Sequence, residues 1–202
     1  MIAAPPRSAH PLVSLVSLVP LVPLVPLVSL APRSDRPAAR GVGRGLPLLA
    51  AALLSAGCRS SSVYFSEQDD LTAVMTDEMG AAGQTLDVAV YTFTSEPIRD
   101  ALIDAAARGV VVRAVIDTWE ANDAVVSSLQ GTDVQVRRKA GFAGGIMHNK
   151  FAVIDGQSVL TGSFNWTYAA DEQNDENLLL LSDKALAGQY GDEFDRLWAA
   201  AE

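Results

Sequence analysis

A chain of 202 residues with 49% hydrophobic content has material for the core of one ordinary domain. Its charge is uneven: residues 1–58 hold five arginines against Asp35, so ten basic and twenty-three acidic residues remain beyond Cys58 and the body carries a net of −13. That sign disfavours general nucleic-acid binding, whose non-specific affinity comes from Lys and Arg on phosphates, and a single cysteine excludes an intrachain disulfide and CxxC metal sites.

Residues 12–30 repeat Leu-Val-Ser or Leu-Val-Pro with a period of three, which fits neither the helical 3.6 nor the strand 2.0. The run is nearly long enough for a bilayer, but Pro20, Pro23 and Pro26 would each cost a helix about 3 kcal/mol, which argues against a membrane span. A second apolar stretch, 46–56, follows Arg40 and Arg44 and runs into Leu54-Ser55-Ala56-Gly57-Cys58, the basic, apolar, small order of a secretory signal. It resembles the lipobox of bacterial lipoproteins, with Ser55 where Leu is usual. That resemblance implies lipidation at Cys58 and an exported protein anchored to a membrane of the bacterial cell envelope. A signal preceded by forty proline-rich residues also points to a translation start at Val42 instead of Met1. The expected organisation is a leader over 1–58, a serine-rich tether over 59–65 and a domain over 66–202.

Within that domain residues 66–82 are expected to be helical, with Leu71, Val74, Met75 and Met79 on one face. Residues 85–93 are β-rich and bounded by Gly83 and Ser95-Glu96-Pro97. Ser95 then caps, and Pro97 opens, a helix that carries Ile98, Ala101, Leu102, Ala105 and Ala106 on one face and ends at Gly109. The near-continuous apolar run 110–117 reads as a strand covered on both faces, and 120–129 as a further helix. Short strands follow at 134–137, 150–154, 158–161 and 178–181, with Asp155-Gly156 as a hairpin signal between the second and third. A last helix spans 184–200, with Leu186, Tyr190, Phe194, Leu197 and Trp198 at helical intervals. The order of elements predicts an α/β domain, a mixed β-sheet flanked by helices on both faces.

The one histidine of the domain lies in Met147-His148-Asn149-Lys150-Phe151. Residues two apart on a strand face the same side, so His148 and Lys150 can project together as a nucleophile and a phosphate-holding cation. By the same rule Ser163 and Asn165, in Gly162-Ser163-Phe164-Asn165, offer a hydroxyl and an amide from one face. Glu176, in Asn174-Asp175-Glu176-Asn177, supplies a carboxylate that can accept a hydrogen bond from an imidazole. Each piece taken alone is equally well a solvated turn or loop.

Together, the spacings His148-x-Lys150-x-x-x-x-Asp155, Gly162-Ser163-x-Asn165 and Asn174-x-Glu176-Asn177 resemble the signature of the phospholipase D superfamily. The likeness is to its small single-motif members, which include a bacterial endonuclease and mitochondrial cardiolipin hydrolase. Tyr91-Thr92-Phe93-Thr94 and the stretch from Arg108-Gly109 to Asp117 are similar to that group too. The resemblance implies that His148 attacks the phosphodiester and forms a phosphohistidine, that Lys150, Ser163 and Asn165 hold the non-bridging oxygens, and that Glu176 orients His148. Asp155 belongs to the motif, with a catalytic role and a structural role at the Asp-Gly turn both open. A second imidazole has to protonate the leaving oxygen, and with one histidine in the body it has to come from another subunit, which implies a homodimer with both copies at the two-fold axis. No cofactor and no metal is implied; the loop setting of Asp171, Glu172, Asp175 and Glu176 favours solvation over a cation.

Three functions fit these residues. A phospholipase D acting on phospholipid headgroups is favoured by an anchor at Cys58, which would hold the enzyme at a bilayer. A non-specific endonuclease on DNA or RNA draws support from the basic run Arg137-Arg138-Lys139. An inactive binding module is the weakest, since every motif position is filled. The Gly-rich loop 141–146 either admits a lipid tail or reaches the active site as a flexible segment.

Overall fold

The apolar runs at 85–90 and 111–117 need cover on both faces, and the chain supplies it by laying them side by side inside a seven-stranded sheet. The computed structural model describes residues 61–202, so the leader, Cys58 and the Val42 start lie outside the described residues. In chain order come β1 (Ser61–Phe65), α1 (Leu71–Gly80), β2 (Thr85–Val90), α2 (Glu96–Ala107) and β3 (Val111–Asp117). A 3-10 turn at Glu120–Asn122 leads into α3 (Asp123–Leu129) and β4 (Gln135–Lys139), and a second at Phe142–Gly144 precedes β5 (Lys150–Ile154). Then follow β6 (Ser158–Gly162), α4 (Tyr168–Glu172), β7 (Asn177–Leu181) and α5 (Lys184–Ala199).

The strand order is β1-β7-β6-β5-β2-β3-β4. β2, β3 and β4 run parallel, with α2 and α3 in the crossovers, while β5 pairs antiparallel with β2 and the remaining neighbours are antiparallel. Side chains alternate across the pleat, so Leu86, Val88 and Val90 face α1 and α2, whose Leu71, Met75, Ile98 and Leu102 are buried against them. Ala89, Phe151, Val153 and Val159 face the other way, under Phe194 and Leu197 of α5. On that second face Arg113 donates to Asp87 at 2.7 and 2.9 Å, reaches Asp195 of α5 at 3.0 Å and lies 4.8 Å from the Phe194 ring centre. One guanidinium thus fastens α5 to the sheet. The predicted mixed sheet with helices on both faces is the architecture that forms.

Three local expectations need correction. Ser61–Phe65, taken as part of the tether, is the edge strand β1, paired antiparallel with β7; its polar start hides a strand that gains its partner only in the fold. α1 begins at Leu71 instead of 66, because Asp70 caps it by accepting from Ala73 N–H at 2.8 Å, while Gln68 and Asp69 turn back onto Phe65 O. α4 was not expected; its five residues, capped by Thr167, are too few to show a period.

The hairpin expected at Asp155-Gly156 forms, with φ of 53° and 60° at these two residues, Gln157 N–H closing on Ile154 O at 2.9 Å and Gln157 itself adding a third residue to the connection. The Asp155 carboxylate accepts the backbone N–H of Gly83 (3.0 Å), Gln84 (2.7 Å) and Thr85 (2.9 Å) at the start of β2. Burial raises this carboxyl, but the three donors outweigh it and hold its pKa below the ordinary value. With the folded pKa the lower one, the stabilisation is complete above the pKa of the unfolded carboxyl and is lost as pH falls through the folded one. Asp155→Ala is expected to cost about 2–3 kcal/mol at pH 7, since it strips three donors of a charged acceptor. Urea denaturation should show a lower midpoint at pH 7 and a gap that narrows as the solution is made acidic.

Candidate active site

β5 runs antiparallel to β2, so its first residues meet the C-terminal end of β2, at the sheet edge that also gathers the ends of β3 and β6 and the start of β7. Carboxyl ends of parallel strands are where α/β sheets place their ligands. The chain is pinned there by backbone bonds. Tyr91 N–H donates to Asn149 O at 2.9 Å, and the buried Asp117 accepts from Met147 N–H at 2.7 Å and Trp119 N–H at 2.9 Å. Asn122, wholly buried, ties the strand ends together: its Oδ1 accepts from Phe93 N–H at 2.8 Å and its Nδ2 donates to Tyr91 O at 2.9 Å and Asp117 O at 3.0 Å.

His148 and Lys150 meet, as the alternation along the strand predicts. Lys150 Nζ lies 3.4 Å from Nδ1 and 3.3 Å from Nε2 of the imidazole and donates to His148 O at 3.1 Å. The Tyr91 ring packs on the imidazole at 4.6 Å between centres and stacks on Trp119 at 5.6 Å. Burial and then the Lys150 ammonium push the imidazole pKa below its ordinary value, against the opposing pull of Asp117. Burial also lowers Lys150, opposed by Glu176. Burial and the ammonium thus both disfavour the charged form of the ring.

Gly162 passes so close to β7 that a Cβ on it would lie 2.2 Å from Asn177 O, which explains glycine before Ser163. Ser163 Oγ donates to Glu176 and accepts from Asn177 N at 3.1 Å and Nδ2 at 3.2 Å. The other Glu176 oxygen accepts from Asn174 Nδ2 at 3.1 Å. Ser66 braces this loop, its hydroxyl donating to Asn174 O at 2.7 Å and accepting from Glu176 N–H at 2.9 Å. Within one chain the expected contact of Glu176 with His148 is therefore replaced by contacts with Ser163 and Asn174. Trp166 N–H donates to Thr92 O at 3.0 Å, which sets Asn165 beside the end of β2. Among the described residues, Asn165 Oδ1 and the Thr92 hydroxyl are buried without a hydrogen-bond partner.

Asp155 is not part of this cluster. The length of β5 separates it from Lys150, and its carboxylate serves the start of β2, so the catalytic role left open for it gives way to a structural one. Ser66, Asp117 and Asn122 are site-building residues that sequence reasoning missed. Only Asp117 had a signal, its place at the carboxyl end of a buried parallel strand. Among the described residues no group of three or more His, Cys, Asp or Glu is placed to hold a metal ion.

An imidazole and an ammonium paired at the carboxyl edge of this mixed sheet define a phospholipase D-like domain. Residues 75–198 match the family described as cardiolipin synthase, PLD-like domain, and the chain belongs to that family. A mitochondrial cardiolipin hydrolase of Chlamydomonas reinhardtii is 36% identical over 148 residues, covering 70% of this chain and 64% of its own length. A phospholipase D of Rickettsia bellii is 34% identical over 131 residues, covering 64% of each. The crystal structure of Nuc, a phospholipase D family member from Salmonella typhimurium, matches with a TM-score of 0.67 at 28% identity, over 71% of this chain and 97% of that one. The chain spans less than two thirds of the length of these two curated relatives.

In an NMR titration the His148 ring is expected to change charge at a lower pH than a free histidine side chain. Lys150→Met removes the neighbouring positive charge and should move that midpoint upward. An unmoved midpoint would show that the two side chains are not coupled.

Proposed function

We propose that this chain is a phosphodiesterase that releases phospholipid headgroups through a phosphohistidine intermediate. The observation that carries the reading is an imidazole held against an ammonium at a strand end, with hydrogen-bonding side chains along the same edge. In the first step the neutral His148 ring forms a P–N bond as the P–O bond to the leaving alcohol breaks, and a second imidazole, entering the step as the imidazolium, gives that oxygen its proton and is left neutral. Water then attacks phosphorus and yields a proton to the second imidazole as the P–N bond breaks, which restores both rings. Lys150 and Asn165 hold the non-bridging oxygens as charge builds on them. The single Ser163 hydroxyl proton goes to Glu176 in the substrate-free chain, so Ser163 positions that carboxylate and Asn165 is left as the direct donor toward phosphate. No step uses a metal or a cofactor.

The second imidazole is assigned to His148 of the partner subunit in a homodimer whose two-fold axis passes between the two rings. An acyl group on Cys58 would hold this dimer at the envelope membrane.

Two observations favour lipid over nucleic acid. The relatives that match most of the domain carry the names cardiolipin hydrolase and phospholipase D. The basic run that spoke for nucleic acid is largely engaged inside the fold. Arg137 donates to Trp198 O at 2.8 Å and lies 4.4 Å from its ring centre, while Arg138 binds Asp123 and donates to Asp117 O at 3.1 Å and Trp119 O at 2.8 Å. Little of that charge is left to meet a phosphate backbone.

The test offers purified protein phospholipid vesicles and single- and double-stranded DNA in excess chelator. Headgroup release should persist in chelator and fall by at least roughly 10⁴-fold in His148→Ala. Cleavage of DNA with lipid left intact would make the protein a nuclease. Turnover of neither would make it a binding module, and full activity in a strictly monomeric preparation would remove the shared site.

A further inference from the structure

Among the described residues, five of the seven exposed large hydrophobic side chains, Phe65, Trp119, Phe142, Ile146 and Tyr168, lie toward the sheet edge that carries His148. Phe142 is the extreme case at 91% exposure. The loop that presents it is a closed knuckle: Gly141 N–H donates to Gly145 O at 2.8 Å and Gly145 N–H to Phe142 O at 3.1 Å. Its path requires small residues, since Ala143 and Gly144 have φ of 52° and 81° and a Cβ on Gly141 would lie 2.3 Å from Gly145 C. Between this knuckle and the nucleophile is a cavity of about 120 Å³, lined by Lys139, Arg196, Phe142, Ile146, Leu197 and His148 among others.

We infer that the Phe142–Ile146 knuckle is the surface by which the enzyme inserts into a phospholipid bilayer beside the diester it cleaves, an inference that rests on the lipid reading. Several observations select a lipid surface as the occupant. The cavity brings Lys139, Arg196, itself paired with Glu193, and the apolar Phe142, Ile146 and Leu197 together beside the imidazole, a mixture that suits a phosphate joined to hydrocarbon. The knuckle holds its aromatic ring outward by backbone bonds, so insertion orders little that is not already ordered. Trp119 and Tyr168, on the same side of the sheet, are the amphipathic residue types that settle at a membrane–water interface. The body's net negative charge would be repelled by an anionic surface, so apolar insertion has to supply the attraction and zwitterionic lipid is the surface that suits it.

The test uses the full chain with Cys58→Ser, so that no acyl group contributes, and compares it with the same chain carrying Phe142→Ser and Ile146→Ser. Partitioning onto phosphatidylcholine vesicles is measured on the His148→Ala background. Turnover is measured on vesicles and on a monomeric chromogenic phosphodiester. Removing two inserted apolar side chains should lower partitioning by about tenfold or more, and the ratio of vesicle to monomeric turnover should fall by a similar factor. Phe142→Leu should restore most of the loss. If vesicle hydrolysis proceeds equally well in parent and double variant, the lipid reading stands and the knuckle inference is overturned. If the parent leaves vesicles intact but cleaves DNA, the lipid reading falls and takes the inference with it. A double variant that changes from dimer to monomer in light scattering would assign the knuckle to the second copy, and would also overturn the inference.

Discussion

The antiparallel pairing of β5 with β2 is the constraint on which the rest of the site depends. Its register sets Val90 opposite Lys150, so that His148 and Asn149 fall just beyond the end of β2, where Tyr91 N–H closes on Asn149 O. A slip of one residue would turn His148 and Lys150 to the face covered by α5 and put Asn149 and Phe151 in their place. The far end of the same strand holds the register. Asp155 N–H donates to Thr85 O at 2.9 Å, and its carboxylate accepts the amides of Gly83, Gln84 and Thr85. The His, Lys and Asp of the motif are thus two ends of one device: the aspartate locks the strand, and the histidine and lysine are delivered by the lock.

The second constraint is electrostatic. An imidazole that is to attack phosphorus must be neutral, and any carboxylate brought against it would favour its protonated form. The domain is rich in acids, yet those near the site are occupied by other donors. Asp117 is engaged by the Met147 and Trp119 amides, and Glu176 by Ser163 and Asn174. At the ring, burial and then the Lys150 ammonium disfavour the charged form, and Asp117 opposes them.

How much of this was legible in the sequence followed from the range of the interactions. The core strands and α2 announced themselves through periods that repeat within a few residues, and Asp155-Gly156 through a turn that requires positive φ at both positions. His148, Lys150, Ser163 and Asn165 were singled out by a spacing that resembles a family signature, since each piece alone reads equally well as a solvated turn or loop. Ser66 and Asn122 were invisible because each is defined by partners distant in the chain: Ser66 bonds Asn174 and Glu176, more than a hundred residues away, and Asn122 bonds Tyr91 and Phe93. β1 was hidden for the same reason, since a five-residue segment with a serine-rich start becomes a strand only when Asn177 to Leu181 arrive beside it. Within one chain Glu176 bonds Ser163 and Asn174 and not His148, because spacing fixes which residues approach an edge, while competing donors decide what each of them binds.

The proposed dimer and the proposed lipid contact draw on the same edge of the sheet, and symmetry decides whether both can hold. Two equivalent subunits can meet a flat surface equally only if their two-fold axis stands perpendicular to it. Sharing one phosphate pocket between two copies of His148 already places that axis through the catalytic edge. With the axis along the bilayer normal, each subunit of the proposed dimer would present its own Phe142 knuckle to the same lipid face. A diester drawn from that face would then reach both imidazoles along the axis, so the arrangement proposed to complete the chemistry would also aim it at the membrane.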